Sequence, residues 1–95
     1  MITIVAKSIV TEGKLDEFKV LTKEMLEESR KEEGCLSYNL YQDVHNDHIL
    51  TFIEEWKDMA AIDRHNASEH FTRIVPQMKA LREPGSEVNL YQSIS

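Results

Sequence analysis

From Ile2 to Val10 almost every position is apolar or β-branched, with Ile2, Ile4 and Ala6 on one face of an extended segment and Val5 and Ile9 on the other. A strand buried on both faces is predicted there. Thr11-Glu12-Gly13 supplies a turn, and Leu15, Phe18, Leu21, Met25 and Leu26 then recur at helical spacing among charged residues, predicting a long amphipathic helix from Lys14 to Glu33. Gly34 stands where a residue of positive φ commonly closes a helix. A half-polar alternation from Cys35 to about Asp43 follows, with Leu36, Tyr38 and Leu40 on one face and Ser37, Asn39 and Tyr41 on the other. His45-Asn46-Asp47 reads as a hairpin turn. The returning strand, His48 to Lys57, sets Leu50, Phe52, Glu54 and Trp56 against Ile49, Thr51, Ile53 and Glu55.

Beyond it, Asp58 is placed to cap a short helix, Met59 to Asn66, by accepting from the free amides of its first turn, and Ser68 to cap the next. Phe71, Ile74, Val75, Met78 and Leu81 give that next helix its apolar stripe. Pro76 lies inside it, without an amide hydrogen and crowding the preceding turn, so a kink or restart is predicted near Val75. Pro84-Gly85 ends the helical region, and Glu87 to Ile94 alternates as a last strand.

Strand, helix, strand, strand, helical region, strand is the order of an α+β, ferredoxin-like split β-α-β: a four-stranded antiparallel sheet with its helices on one face. No repeat or linker divides it, so residues 1–95 are expected to form one domain. Helices cover only one sheet face, yet the first and third strands are apolar on both. A homodimer joined through the bare sheet faces is therefore expected.

Composition narrows the partners. Apolar residues at 41% and charged residues at 29% suit a globular protein, and a net charge of −6 argues against a phosphate-binding surface and so against nucleic acid. No apolar run reaches bilayer length and the first residues do not read as a signal peptide, so no membrane partner and a cytoplasmic location are expected. The single cysteine, Cys35, agrees with a reducing compartment and reads as a small filler, since no base neighbours it.

Candidate chemistry gathers between Phe52 and Phe71. Glu54 and Trp56 leave the same strand face as Phe52, and His65 and His70 follow one short helix later, so an aromatic wall, a carboxylate and imidazoles converge at a strand end. Each residue also has a plainer role: Trp56 and Phe52 as core, Glu54 bonded to a helix amide or a histidine, His65 beside a cap, His70 in solvent. His45 and His48 flank a turn, and no metal site from the four histidines follows from their spacing. The glycines Gly13, Gly34 and Gly85 are scattered and form no phosphate-cradling loop for flavin or nicotinamide.

Gly34-Cys35-Leu36-Ser37-Tyr38, Glu54-Glu55-Trp56-Lys57-Asp58, Ala61-Ile62-Asp63-Arg64-His65 and Ser68-Glu69-His70-Phe71 together resemble the antibiotic biosynthesis monooxygenase domain family over nearly the whole chain. The resemblance implies a dimeric α+β barrel. It also implies cofactor-free oxygenation of a small quinol or polyphenol by dioxygen, with His65, or second His70, as the general base. Phe52, Trp56 and Tyr38 would bind the aromatic substrate alongside Glu54, and by analogy with the family motif Tyr38 rather than Asn39 would bond a substrate carbonyl. Haem-degrading relatives resemble one another in an Asn on the first strand, which Ile2 to Val10 lacks. The family also embraces isomerisation of a small phosphorylated keto compound, which would need a cationic clamp from Arg64, Arg73 or Lys7, and dimeric binding modules without chemistry.

Overall fold

The computed structural model describes residues 1–95. Its elements follow the predicted order: β1 (Ile2–Ile9), α1 (Leu15–Ser29), β2 (Cys35–Gln42), β3 (Ile49–Trp56), α2 (Met59–Asn66), α3 (Glu69–Lys79) and β4 (Glu87–Tyr91). The strands lie in the order β2-β3-β1-β4 with every neighbouring pair antiparallel. This is the split β-α-β of the ferredoxin-like fold, with β3 inserted between β1 and β2. No helix is long and apolar enough to cross a membrane.

The period of two along β3 decides which side of the sheet is the core. Leu50, Phe52, Glu54 and Trp56 are buried, whereas Ile49, Thr51, Ile53 and Glu55 are not. The register extends the buried face across the sheet, since Ile4 opposes both Glu54 and Leu90, Ala6 opposes Phe52 and Val88, and Tyr38 opposes Glu54. Phe18 and Met25 of α1, Ile62 of α2, and Ile74 and Met78 of α3 close over it as one core. On the bare face Val5 and Ile9 are half-buried, while Ile53 and Tyr91 are exposed.

Local chemistry explains the helix boundaries. Asp58 Oδ1 accepts from the Ala61 amide at 2.9 Å and Ser68 Oγ accepts from the Phe71 amide at 3.3 Å, so both predicted caps form. The hairpin turn is an Asx arrangement in which Asp43 Oδ1 accepts from the amides of His45 and Asn46.

Four expectations are corrected. Helix α1 stops at Ser29, and Arg30 leaves it to donate to the Tyr38 carbonyl and the Asn39 side chain, which ties the helix end to β2. Leu36 is exposed, because β2 bulges between Cys35 and Ser37 and the extra residue falls out of the alternation. Helix α3 runs unbroken through Pro76. The proline and Thr72, whose carbonyl loses its donor, both lie on the exposed side, where water can replace the missing bond. Strand β4 ends at Tyr91, since its register with β1 gives out at Thr3 and leaves Ile94 unpaired.

Gly34 marks the tightest passage. Its φ is +88°, and a Cβ placed there would stand 2.6 Å from the Ala61 Cβ. Its carbonyl accepts from the Lys57 amide at 2.8 Å, so the turn cannot move away from α2. Gly34→Ala is expected to cost roughly 2–5 kcal/mol, combining left-handed strain with overpacking. Urea denaturation of the variant checks this, and an unchanged midpoint would show that the turn yields.

Candidate active site

A cavity of about 340 Å³ lies between the buried sheet face and helices α2 and α3. Its floor is Ile4, Ala6, Phe52 and Glu54, its far wall is Tyr38, and α2 and α3 contribute Ile62, His65, Phe71 and Val75. Val88 and Leu90 of β4 border it, yet they are 57% and 46% exposed, so that side is where the cavity meets solvent. Mostly apolar walls with a few polar groups suit a small flat organic molecule.

Of the residues singled out in the sequence, Tyr38, Phe52, Glu54 and His65 line this cavity. Trp56 does not line it. Fully buried, it lies behind the wall, its ring centroid 4.5 Å from that of His65 and its Nε1 donating to Glu54 Oε1 at 2.9 Å. His70 also lies off the cavity, its ring centroid 5.9 Å from His65.

The residue that joins the two histidines is Glu32, in the turn after α1. Its Oε2 accepts from His65 Nδ1 at 2.6 Å and from His70 Nε2 at 2.9 Å. A carboxylate can only accept, so the nitrogens facing it carry the protons. Burial holds the His65 imidazole below its ordinary pKa, against the opposite pull of Glu32. Near neutral pH the ring is therefore the uncharged Nδ1–H tautomer, with a lone pair on Nε2 that no protein group occupies. Phe71 packs edge-on at a centroid distance of 5.0 Å and Tyr38 at 5.7 Å, so the ring is clamped on several sides.

Glu54 is the second titratable group on the wall. Burial pushes its carboxyl up to about 7, against the Trp56 hydrogen bond, which favours the charged form. Burial first, and Glu54 second, keep the Tyr38 phenol far above its ordinary value, so it remains a hydrogen-bond donor. Burial likewise pushes the Cys35 thiol up to about 11, which leaves it no thiolate character at neutral pH.

None of the expected cationic clamp residues reaches the cavity. Arg73 is bound to Glu24 and Glu69 at the surface, Arg64 is exposed on α2, and Lys7 alternates with Ala6 and Ser8 onto the bare sheet face. The cations that line it are Lys79 and Arg82. The ligand atoms of Glu32, His65 and His70 all lie within 4.8 Å of one another, a donor set that a divalent metal could use by displacing the two N–H protons.

The sequence shows the same ancestry as the geometry: residues 1–77 match the family of antibiotic biosynthesis monooxygenases. The chain belongs to that family. A solved antibiotic biosynthesis monooxygenase is similar over the whole of both chains, with a TM-score of 0.95 and 36% identity. The Bacillus subtilis protein called "Putative monooxygenase YcnE" is 35% identical over 81 residues, 85% of each chain. The uncharacterised protein sll1783 of Synechocystis sp. is 34% identical over 90 residues, which are 94% of this chain and 61% of that relative. The chain thus spans less than two thirds of the Synechocystis protein's length.

Proposed function

We propose that the protein is a cofactor-independent monooxygenase of a small quinol or polyphenol. The observation that carries this reading is His65 Nε2, a free base on an apolar cavity wall, held in one tautomer by Glu32. His65 removes the phenolic proton, and the imidazolium that forms keeps its Nδ1–H on the Glu32 carboxylate. The electron-rich anion then reduces dioxygen. One oxygen atom is bonded to the ring carbon and the other leaves as water, so that a quinol becomes a hydroxyquinone and no external reductant is consumed.

Phe52 and Tyr38 flank the ring, and Glu54, as the neutral acid below about pH 7, offers its O–H to a substrate oxygen. His70 is a second donor to Glu32 and positions it. The half-apolar bare sheet face supports a homodimer through that face as the working unit.

Oxygen consumption with a panel of hydroquinones tests the reading. The expected result is uptake that depends on the protein, is unaffected by chelators and places one atom of labelled dioxygen in the product. No uptake above the spontaneous rate, or uptake abolished by chelation, would overturn it.

One observation favours a second reading. Lys79 and Arg82 could hold the phosphate of a small keto compound while His65 moves a proton through an enolate. Proton exchange into such a compound without oxygen uptake would distinguish it.

A further inference from the structure

Arg82 is the one arginine on the cavity wall, and nothing in the chain neutralises it. No carboxylate oxygen lies within 4.0 Å of its guanidinium, and its side chain makes no hydrogen bond to the protein. Arg64 is also unpaired, but it is exposed on α2 and off the cavity, whereas Arg82 is half-buried and lines it. Arg30 and Arg73, by contrast, are bonded to protein acceptors.

Nor is Arg82 a loosely held surface residue. Its backbone bridges to Val10, and the bonds on either side, from the Thr11 amide to the Leu81 carbonyl at 2.9 Å and from the Glu83 amide to the Ile9 carbonyl at 2.8 Å, pin it to the end of β1. A half-buried guanidinium loses part of its hydration, as the downward shift of its pKa by burial also reflects. A group in this state lacks an anion, and the open space beside it is the cavity.

Resting on the oxygenation reading, we infer that the cavity's substrate is an anionic aromatic, a quinol bearing a carboxylate, and that Arg82 binds that carboxylate while His65 faces the phenol. The planar guanidinium can donate two parallel N–H bonds to a carboxylate, and Lys79, one helical turn earlier at the end of α3, adds positive charge at the solvent side. Glu54 lines the same cavity. It opposes Ile4, six residues along β1 from the Val10 that Arg82 bridges, so its carboxyl lies towards the His65 end of the cavity, away from the Arg82 guanidinium.

The test is equilibrium binding without oxygen, followed by the fluorescence of the only tryptophan, Trp56, with gentisate (a carboxylated quinol) and its methyl ester. The expected result is tighter binding of gentisate by about tenfold or more at pH 6, as a charge-assisted pair provides. In Arg82→Gln that ratio falls towards one while the ester binds as before, which also shows that the variant is folded; Arg82→Lys keeps part of it.

Equal binding of the two compounds by the unaltered protein, absence of binding by both, or a preference that survives Arg82→Gln would overturn the assignment. Phenyl phosphate provides the other arm. If it competes more strongly than gentisate through Arg82, the site selects a phosphoryl group and the carboxylate assignment fails. Because no turnover is involved, an enzyme that binds gentisate through Arg82 but consumes no oxygen would sink the oxygenation reading alone.

Discussion

Glu32→Gln is expected to lower the rate of oxygen uptake by about a hundredfold or more, and His65→Ala to bring it to the spontaneous rate. Glu32 fixes which nitrogen of His65 carries the proton. An amide of the same shape can turn its NH₂ towards the ring and accept nothing from it, which favours the tautomer with the proton on Nε2 and removes the base from the cavity. Substrate binding should change much less than turnover, because Glu32 does not line the cavity. The pH profile gives an independent check. Burial keeps His65 below its ordinary value of 6.5, so the rate should hold from neutral pH down to that region and fall only in more acid solution. On the alkaline side it should fall as Glu54 loses its proton through about pH 7, and Glu54→Gln should abolish that limb. An unchanged rate in Glu32→Gln would show that orientation of His65 plays no part.

Glu54→Gln is also expected to stabilise the fold above neutral pH. The Glu54 carboxyl is pushed up to about 7 in the folded chain from its ordinary value of 4.5, so between these values the folded state holds a proton that the unfolded state has released. Stability from this group is full below about pH 4.5 and is lost as pH rises through 7, a difference of about 3 kcal/mol at 1.36 kcal/mol per unit. Glutamine keeps an acceptor for Trp56 Nε1 and cannot ionise. The gap between variant and unaltered protein in urea denaturation should therefore widen by about 3 kcal/mol from pH 4.5 to pH 8. Comparison at each pH cancels the opposite contribution of His65, whose lowered pKa removes stability as pH falls below about 6.5. Parallel pH profiles for the two proteins would refute the burial argument.

Features governed by neighbours in sequence were legible in advance. The alternation of β3, the caps at Asp58 and Ser68, and the length of α2 each depend on residues a few positions apart. Where a distant segment decides, the pattern misleads. The charged run after Ser29 prolongs a helical period that Arg30 ends by reaching β2, and the apolar Leu36 is turned outward by a bulge that only its pairing with β3 reveals. The same limit applies at the site. His65, Glu54 and Phe52 stand out by type and spacing, but Glu32 is 33 residues from His65, and a lone glutamate in an acidic run carries no mark of its partner. Arg82 was equally silent, because a cation becomes unusual only when its surroundings are known to lack an anion.

Strand β4 pairs with β1 alone, and all five of its residues are exposed, including the Val88 and Leu90 that border the cavity. His65, Glu54 and Trp56, in contrast, are embedded where any change disturbs packing and buried hydrogen bonds. The two sides of the cavity therefore differ in their tolerance of substitution. Relatives can diverge in what they accept by altering a few side chains along an outer strand, while the inner wall stays under the restraint of folding itself. One scaffold can in this way diversify its ligands without rebuilding its base.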